Sequence, residues 1–422
     1  MTTPKPRGPW LWAYRQLSRL IPLFAVPLLR RRLRSGKEDP GRWREKLGFA
    51  SLPRPDAPLV WCHAVGLGEV LALRGLISAM ARQRPELRFL VTSTARSSAQ
   101  VLASNLPPGT VHQFLPLDAP AYVSRFLDHW HPALSVWAEQ ELWPGAVAAA
   151  HARGIPLALV NARITARSHA RRRRLRPLYR ELLSCFALIS AQEPASARRL
   201  LDLGAPSVRV HGSFKPAAPP LTVGWQALGR LRRLLAGRRV WLAASTHPGD
   251  EQQVIRAQVQ LIGKGWLLII APRDPRRADT VAAAFSAAGL RYQRRSLGQL
   301  PTPQDSVWLA DSFGEMGLWY RLADVALVGG GFDSIGGHNP WEPASLGVPV
   351  LHGPDVANFL NDYTTLDGAD AARCVAPGAL AEAVQQGDLP QVAARASVLV
   401  RQARGQLAPL ARDLSLLMQA PR

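Results

Sequence analysis

At 422 residues the chain is too long for one ordinary core, and two domains of roughly 200 residues each are expected. Its charge is lopsided: residues 1–215 hold 32 Lys/Arg against 13 Asp/Glu, whereas 216–422 hold 20 against 17, so an anionic partner is expected of the first half, be it nucleic acid, a membrane surface or an anionic lipid. Three widely spaced cysteines with no CxxC or paired Cys/His spacing argue against a disulfide scaffold and a structural zinc site, and the absence of any DxD triplet argues against metal-dependent sugar transfer.

Residues 8–36 begin with Trp10, Trp12 and Tyr14, continue through ten apolar residues (20–29) containing two prolines, and end in Arg30-Arg31-Arg32-Leu33-Arg34. This stretch is too short to span a bilayer and lacks a small-x-small cleavage site. Residues 1–40 are therefore read as an interfacial, monotopic anchor, with aromatic and aliphatic side chains in the headgroup boundary and the arginines on anionic lipid at the cytoplasmic side. A helix packed on the first domain is the competing reading.

From residue 57 apolar runs alternate with Arg/Ala/Leu-rich helical stretches, with strands expected at 59–63, 88–92, 134–138, 157–161, 187–191 and 208–212. That is the pattern of a parallel sheet covered by helices on both faces. After the first strand comes His63-Ala64-Val65-Gly66-Leu67-Gly68-Glu69, a glycine loop whose Glu69 opens a helix. Ligands gather at the carboxyl ends of strands in such sheets, so Glu69 is placed to act as a general base; a residue that merely complements the helix dipole would look the same.

After the third expected strand, Glu139 and Glu141 stand between Trp137 and Trp143. Two carboxylates there could hold sugar hydroxyls or steady positive charge on a reacting sugar, or could form a wet helix start. The run Arg163 to Arg176, with Arg171 and Arg174 in it, is either a solvated charge cluster or a site for an anionic acceptor. A Pro/Ala-rich linker is expected at 216–235, separating a domain at 41–215 from one at 236–422.

The second half repeats the alternation, with strands expected at 240–244, 266–271, 307–310, 325–328 and 348–351 and helices from 378 onward. Its centre is 325–354, where four apolar residues run into Gly329-Gly330-Gly331, a second pair follows at Gly336-Gly337, and Asn339-Pro340 opens a helix. Asn339 suits the N-cap, Pro340 the first helical position, and Glu342 a capping box. Free N–H groups and the helix dipole, reached through glycines, make a place for a phosphate or carboxylate, with Glu342 capping the helix or accepting ribose hydroxyls. The loops at 245–251, 272–274 and 311–317 share that strand-end side, and Arg273 is the candidate phosphate ligand. The resulting architecture is α/β, two doubly wound domains with a cleft between them.

These motifs, in order, resemble the 3-deoxy-D-manno-octulosonic acid (Kdo) transferases of lipopolysaccharide synthesis, inverting glycosyltransferases of the two-Rossmann GT-B type. The resemblance runs from Gly41-Arg42-Trp43-Arg44-Glu45-Lys46-Leu47-Gly48 to about residue 365. It includes Glu139-Gln140-Glu141-Leu142-Trp143-Pro144, Asn161-Ala162-Arg163, Ser245-Thr246-His247-Pro248-Gly249 and Gly336-Gly337-His338-Asn339-Pro340-Trp341-Glu342-Pro343. It implies CMP-Kdo as donor and an anionic lipid A precursor as acceptor, with no cofactor, no metal and no nucleic-acid partner.

By the same resemblance Glu69 is the general base, and one of Glu139 and Glu141, with Lys215, supports the transition state. Pro272, Arg273, Gly314, Glu315, Met316, Asn339, Pro340, Trp341 and Glu342 bind CMP. Departures are Val65-Gly66-Leu67-Gly68 where the family usually has Ser before the loop glycine, Ser213 for Asn, and Trp341 for Leu. A different nucleotide-sugar transferase or epimerase on this fold, and a basic nucleic-acid or membrane-surface binder, are the alternatives.

Overall fold

A computed structural model describes residues 8–65, 67–96, 99, 106–139 and 142–419. The chain divides into two compact units, the first running to Ala218 and resuming at Ala403, the second comprising Pro219–Gln402.

The first unit is built on Leu59–His63 (β1), Arg88–Ser93 (β2), Thr110–Phe114 (β3), Leu134–Ala138 (β4), Leu157–Ala162 (β5), Leu188–Ala191 (β6) and Arg209–Val210 (β7). All neighbours pair in parallel, in the order β3-β2-β1-β4-β5-β6-β7. The inner strands are apolar on both faces because helices cover both. Leu59 and Trp61 of β1 pack with Phe126, Trp130 and Trp137 on one side, while Val60 and Cys62 pack with Leu73, Phe214, Leu410 and Leu414 on the other.

The second unit repeats the plan with Arg239–Thr246 (β8), Trp266–Pro272 (β9), Tyr292–Arg294 (β10), Val307–Leu309 (β11), Val325–Val328 (β12), Val350–His352 (β13) and Arg373–Cys374 (β14). Its parallel order is β10-β11-β9-β8-β12-β13-β14. The chain crosses to the other side of its first strand between β1 and β4 in one sheet and between β8 and β12 in the other, and a doubly wound sheet opens its ligand crevice at such a switch point.

Several expectations need correction. Strands β3, β10 and β14 were not anticipated, and all three are sheet edges, where one side lacks a neighbour and polar residues such as His112, Gln113, Gln293 and Arg373 replace the apolar run. The stretch expected as a linker, 216–235, is largely folded: Ala217 is buried in the first unit, and helix Trp225–Leu234 places Leu228 and Leu231 in the core of the second. The expected 236–422 domain also ends too late, because helix Leu389–Leu417 delivers Leu407, Leu410, Ala411 and Leu414 to the core of the first unit.

The N-terminal stretch forms two helices, Pro9–Ser18 and Ile21–Arg34. Leu11, Ala25 and Leu29 are buried against the first unit, whereas Trp12 is 57%, Leu23 67% and Phe24 70% exposed. One face is therefore packed and the other is apolar and open. Among the described residues no helix is long and apolar enough to cross a membrane.

In the second unit the loops after β12 and β13 touch backbone to backbone. A Cβ on Gly331 would come within 2.7 Å of Gly353 N, and one on Gly353 would collide with the carbonyl carbon of Gly331. Neither loop can retreat without leaving its strand. Gly353→Ala is expected to destabilise the second unit by about 1–3 kcal/mol, read as a lowered midpoint of its calorimetric transition; an unchanged midpoint would mean the loops are not held in contact.

Candidate active site

The first unit gathers its acidic candidates at the β1/β4 switch point. Glu69 lies in the first turn of helix Leu67–Gln83, and its Oε2 accepts the N–H of Val65 at 3.1 Å. Glu139 directly follows β4 in the left-handed region, φ 62°, and Asn161 near the end of β5 does the same at φ 53°. Neither is glycine, and such backbone persists only where surrounding contacts hold it. Asn161 supplies some of them: its Nδ2 lies 3.4 Å from Glu139 Oε1, its Oδ1 accepts Phe214 N at 3.0 Å, and its carbonyl accepts Gln192 Nε2 at 2.9 Å. The amide thus ties the Glu139 turn to the segment carrying Lys215.

Burial pushes the Glu139 carboxyl up to about 8, the negative charge of Glu69 adds to the rise, and a hydrogen bond with Glu69 adds again; Lys215 and Arg163 oppose it. A carboxyl whose proton is held by such a bond is the donor in it. Two carboxylates this close cannot both ionise cheaply, so Glu139 holds its proton in the hydrogen bond that Glu69 accepts. Glu69, Glu139, Lys215 and Arg163 therefore form one electrostatic cluster. Glu141, the other candidate in that stretch, lies outside the described residues.

Arg163 faces Glu139, whereas Arg171 and Arg174 line a separate depression of about 570 Å³ with Thr165, Arg167 and Ser168. The basic run is not uniform: Arg172 turns inward, donating to Ser168 Oγ at 2.7 Å and Tyr179 Oη at 3.1 Å.

In the second unit the glycine loop differs from the expected open anion cradle. Asp250, fully buried in the first turn of helix Pro248–Leu261, accepts the N–H groups of Gly330 (2.6 Å), His247 (2.9 Å) and Phe332 (3.1 Å). The N–H of Gly337 goes to the carbonyl of Gly330 at 2.9 Å. These amides are already satisfied from within the protein. The helix opened by Asn339-Pro340 is a single turn, Trp341–Ala344, too short for a sizeable dipole. Pro340, expected at the first helical position, is its N-cap, and Asn339 stands one residue earlier with its Oδ1 accepting Trp341 N at 3.2 Å.

What the switch point offers instead is a set of side chains. Arg273 follows β9 and is exposed. Glu342 lies 3.4 Å from Asn339 Nδ2, and burial raises it to about 7 against the opposing pull of Asn339 and Arg273. His338 is lowered to about 4 by burial, by His247 and by Arg273. The Nε2 atoms of His247 and His338 are 2.9 Å apart with the rings stacked, so one nitrogen donates to the other. This pair was not among the site residues read from the sequence; its only local signals were a histidine just past β8 and another after a glycine pair.

The remaining donor candidates divide by what their side chains do. Gly314 adopts φ 87° with open space around it, as only glycine does readily. Glu315 is engaged by Arg295 at 2.7 and 3.1 Å and by Ser312 Oγ at 2.6 Å, which fixes the loop leading into Met316. Pro272 and Pro340 are buried, and Trp341 is 3% exposed with its indole donating to Asp362 Oδ1 at 2.8 Å. The Trp341 ring therefore faces the core, leaving its backbone toward the loop.

Residues 41–218 match the family model of 3-deoxy-D-manno-octulosonic-acid transferase (kdotransferase). The 3-deoxy-D-manno-octulosonic acid transferase of Bordetella pertussis is 37% identical over 386 residues, 87% of either chain. That of Rickettsia bellii is 33% identical over 341 residues, 80% of this chain and 81% of its own. Among solved structures, a UDP-GlcNAc 2-epimerase from Neisseria meningitidis bound to UDP-GlcNAc shares the fold, with a TM-score of 0.56 and 16% identity over 85% of this chain and 99% of its own. With relatives at this identity over most of its length, the chain belongs to the 3-deoxy-D-manno-octulosonic acid transferase family and is a glycosyltransferase.

Proposed function

We propose that the enzyme moves Kdo from CMP-Kdo to a lipid A precursor, lipid IVA, with inversion at the anomeric carbon, at the cytoplasmic face of the inner membrane. The observation that carries the mechanism is the Glu69–Glu139 pair at the β1/β4 switch point. Glu69 takes the proton of the acceptor hydroxyl as that oxygen forms its bond to the anomeric carbon, and the bond to the CMP phosphate breaks on the opposite face. Glu139 keeps its own proton and hydrogen-bonds Glu69 through it, orienting the base, while Lys215 and Arg163 limit the accumulation of negative charge around the pair.

The donor belongs to the second unit. In CMP-Kdo the phosphate carries one negative charge, and on departure as CMP it gains another. Arg273 meets that charge beside the His247–His338 pair, in which burial, His247 and Arg273 hold His338 neutral. A leaving group with a single phosphate needs no divalent cation to be neutralised, so no metal or cofactor enters the scheme. Glu342 and the backbone around Asn339, Pro340 and Trp341, with Pro272 and the Gly314–Met316 loop, serve the nucleoside.

The acceptor is an anionic amphiphile, and the first unit matches both halves of that description. Arg171 and Arg174 suit its phosphates. The open face of the N-terminal helices, with Trp10, Trp12, Leu17, Leu20, Leu23 and Phe24, suits a bilayer surface flanked by Arg30, Arg31 and Arg34.

Glu69→Gln is expected to lower transfer by about 10²–10⁴-fold while binding CMP as wild type does, measured by mass spectrometry of product and by calorimetric titration of CMP; wild-type turnover would remove Glu69 as base. The pH dependence follows from Glu139. Below about pH 8 it holds its proton, and above that the pair becomes doubly charged and loses its internal hydrogen bond, so kcat/KM should fall on the alkaline side. Lys215 opposes the rise in Glu139, so removing its charge raises that carboxyl further. In Lys215→Ala, whatever rate remains should show its alkaline limb at higher pH than wild type, and a limb that stays put or moves down would contradict the assignment.

A further inference from the structure

Asp118 is a buried acid, 4% exposed, that the mechanism above does not use. Its carboxylate accepts three hydrogen bonds: Gly145 N at 2.8 Å, Ala146 N at 2.7 Å and the Tyr14 hydroxyl at 2.7 Å. The two amides open helix Pro144–Ala152, whose own N-cap residue, Trp143, gives no side-chain cap. Asp118 is thus the cap of that helix, supplied from a distant part of the chain. Gly145 makes room for it, since a Cβ there would stand 2.7 Å from Asp118 Oδ1. The helix is the one into which β4 and Glu139 lead, with Gly145 only six residues after Glu139.

Tyr14 approaches from helix Pro9–Ser18. Leu11 of that helix is fully buried in the same core as Ala146 to Ala150. Its first turn is held as well, Glu181 accepting Leu11 N at 2.8 Å and Trp10 N at 3.3 Å. The helix is therefore fixed at its start by Glu181 and near its middle by Tyr14, while Trp12 and Leu17 face outward. A mere anchor needs an apolar outer face; it does not need a hydroxyl aimed at the buried cap of the helix beyond the catalytic turn.

We propose that Asp118 is a positioning residue for Glu139, and that through Tyr14 the N-terminal helix is part of the device that holds Glu139 against Glu69. The inference rests on the reading of Glu139 as the protonated partner of Glu69. Without Tyr14 the Asp118 carboxylate loses one of three donors, the start of helix Pro144–Ala152 gains freedom, and Glu139, six residues before Gly145 in the chain, is held less firmly. Among the described residues the charged groups acting on Glu139 are Glu69, Lys215 and Arg163; burial does most to hold its proton, and the nearness of Glu69 adds to that.

The test is Tyr14→Phe in the full chain, with Asp118→Asn as the stronger variant. The measurements are kcat, KM for CMP-Kdo, the pH profile with a detergent-dispersed acceptor, and sedimentation with anionic phospholipid vesicles. Tyr14→Phe should lower kcat by about threefold to tenfold, leave KM for CMP-Kdo and vesicle sedimentation as in wild type, and move the alkaline limb to lower pH as Glu139 draws away from Glu69. A folded Tyr14→Phe enzyme with wild-type kcat and limb overturns the proposal, and so does a variant that loses only vesicle binding, since the tyrosine would then serve anchoring. Glu139→Ala separates the two layers: if it keeps wild-type activity, the reading of Glu139 has failed, and if it is inactive while Tyr14→Phe is silent, only the positioning role has failed.

Discussion

Two carboxyl groups brought within a hydrogen bond of one another are the constraint from which the rest of the first unit follows. In water Glu69 and Glu139 would both ionise and separate. In the enzyme, burial and proximity raise Glu139 and hold its proton in a hydrogen bond to Glu69, so the pair attracts where two carboxylates would repel. The contact exists because β1 and β4 are neighbours although helices and two other strands separate them in sequence, so the turns that follow them meet at the point where strand order reverses. Its maintenance is visible in the surroundings. Glu139 and Asn161 both accept a left-handed backbone, and Asn161 spends its amide on both sides of the cluster.

The second unit solves the same topological problem with different chemistry. Its switch point lies between β8 and β12, and the acid placed there, Asp250, is used to satisfy loop amides and not to meet a ligand. That choice packs the glycine loops backbone to backbone and leaves Arg273, the histidine pair and Glu342 as the groups proposed to meet a nucleotide. Glycines here serve close approach between loops more than approach of a phosphate. The N-terminal helices likewise combine two roles that composition had set against each other, with Leu11, Ala25 and Leu29 packed inward and Trp12, Leu23 and Phe24 turned out.

Much of this was legible in the residues. Central parallel strands such as β1, β4 and β12 are continuous apolar runs and could be bounded almost to the residue, and the loops after them carried Glu69, Glu139 and the glycines that marked both switch points. Three of the four edge strands were missed because half their surface needs no apolar side chain, as Thr110–Phe114 and Tyr292–Arg294 illustrate. Side-chain direction was the other loss. Nothing in the one-dimensional pattern shows that Trp341 turns to Asp362, that Arg172 turns inward between Arg171 and Arg173, or that His247 and His338, ninety-one positions apart, share a proton. The fate of the last helix was also hidden, since an amphipathic stripe from Leu389 to Leu417 does not say whose core receives each part of it.

The account turns on Glu139 working as a neutral, proton-bearing partner and not as an ionised carboxylate facing the sugar. The most direct measurement is the pH–rate profile of Glu139→Gln, whose amide reproduces the shape and the donor of a protonated glutamate but cannot titrate. The account predicts a variant that keeps activity within about tenfold of wild type at neutral pH and shows no fall on the alkaline side. An enzyme as inactive as Glu69→Gln at every pH would contradict it, because Glu139 would then be needed for its charge.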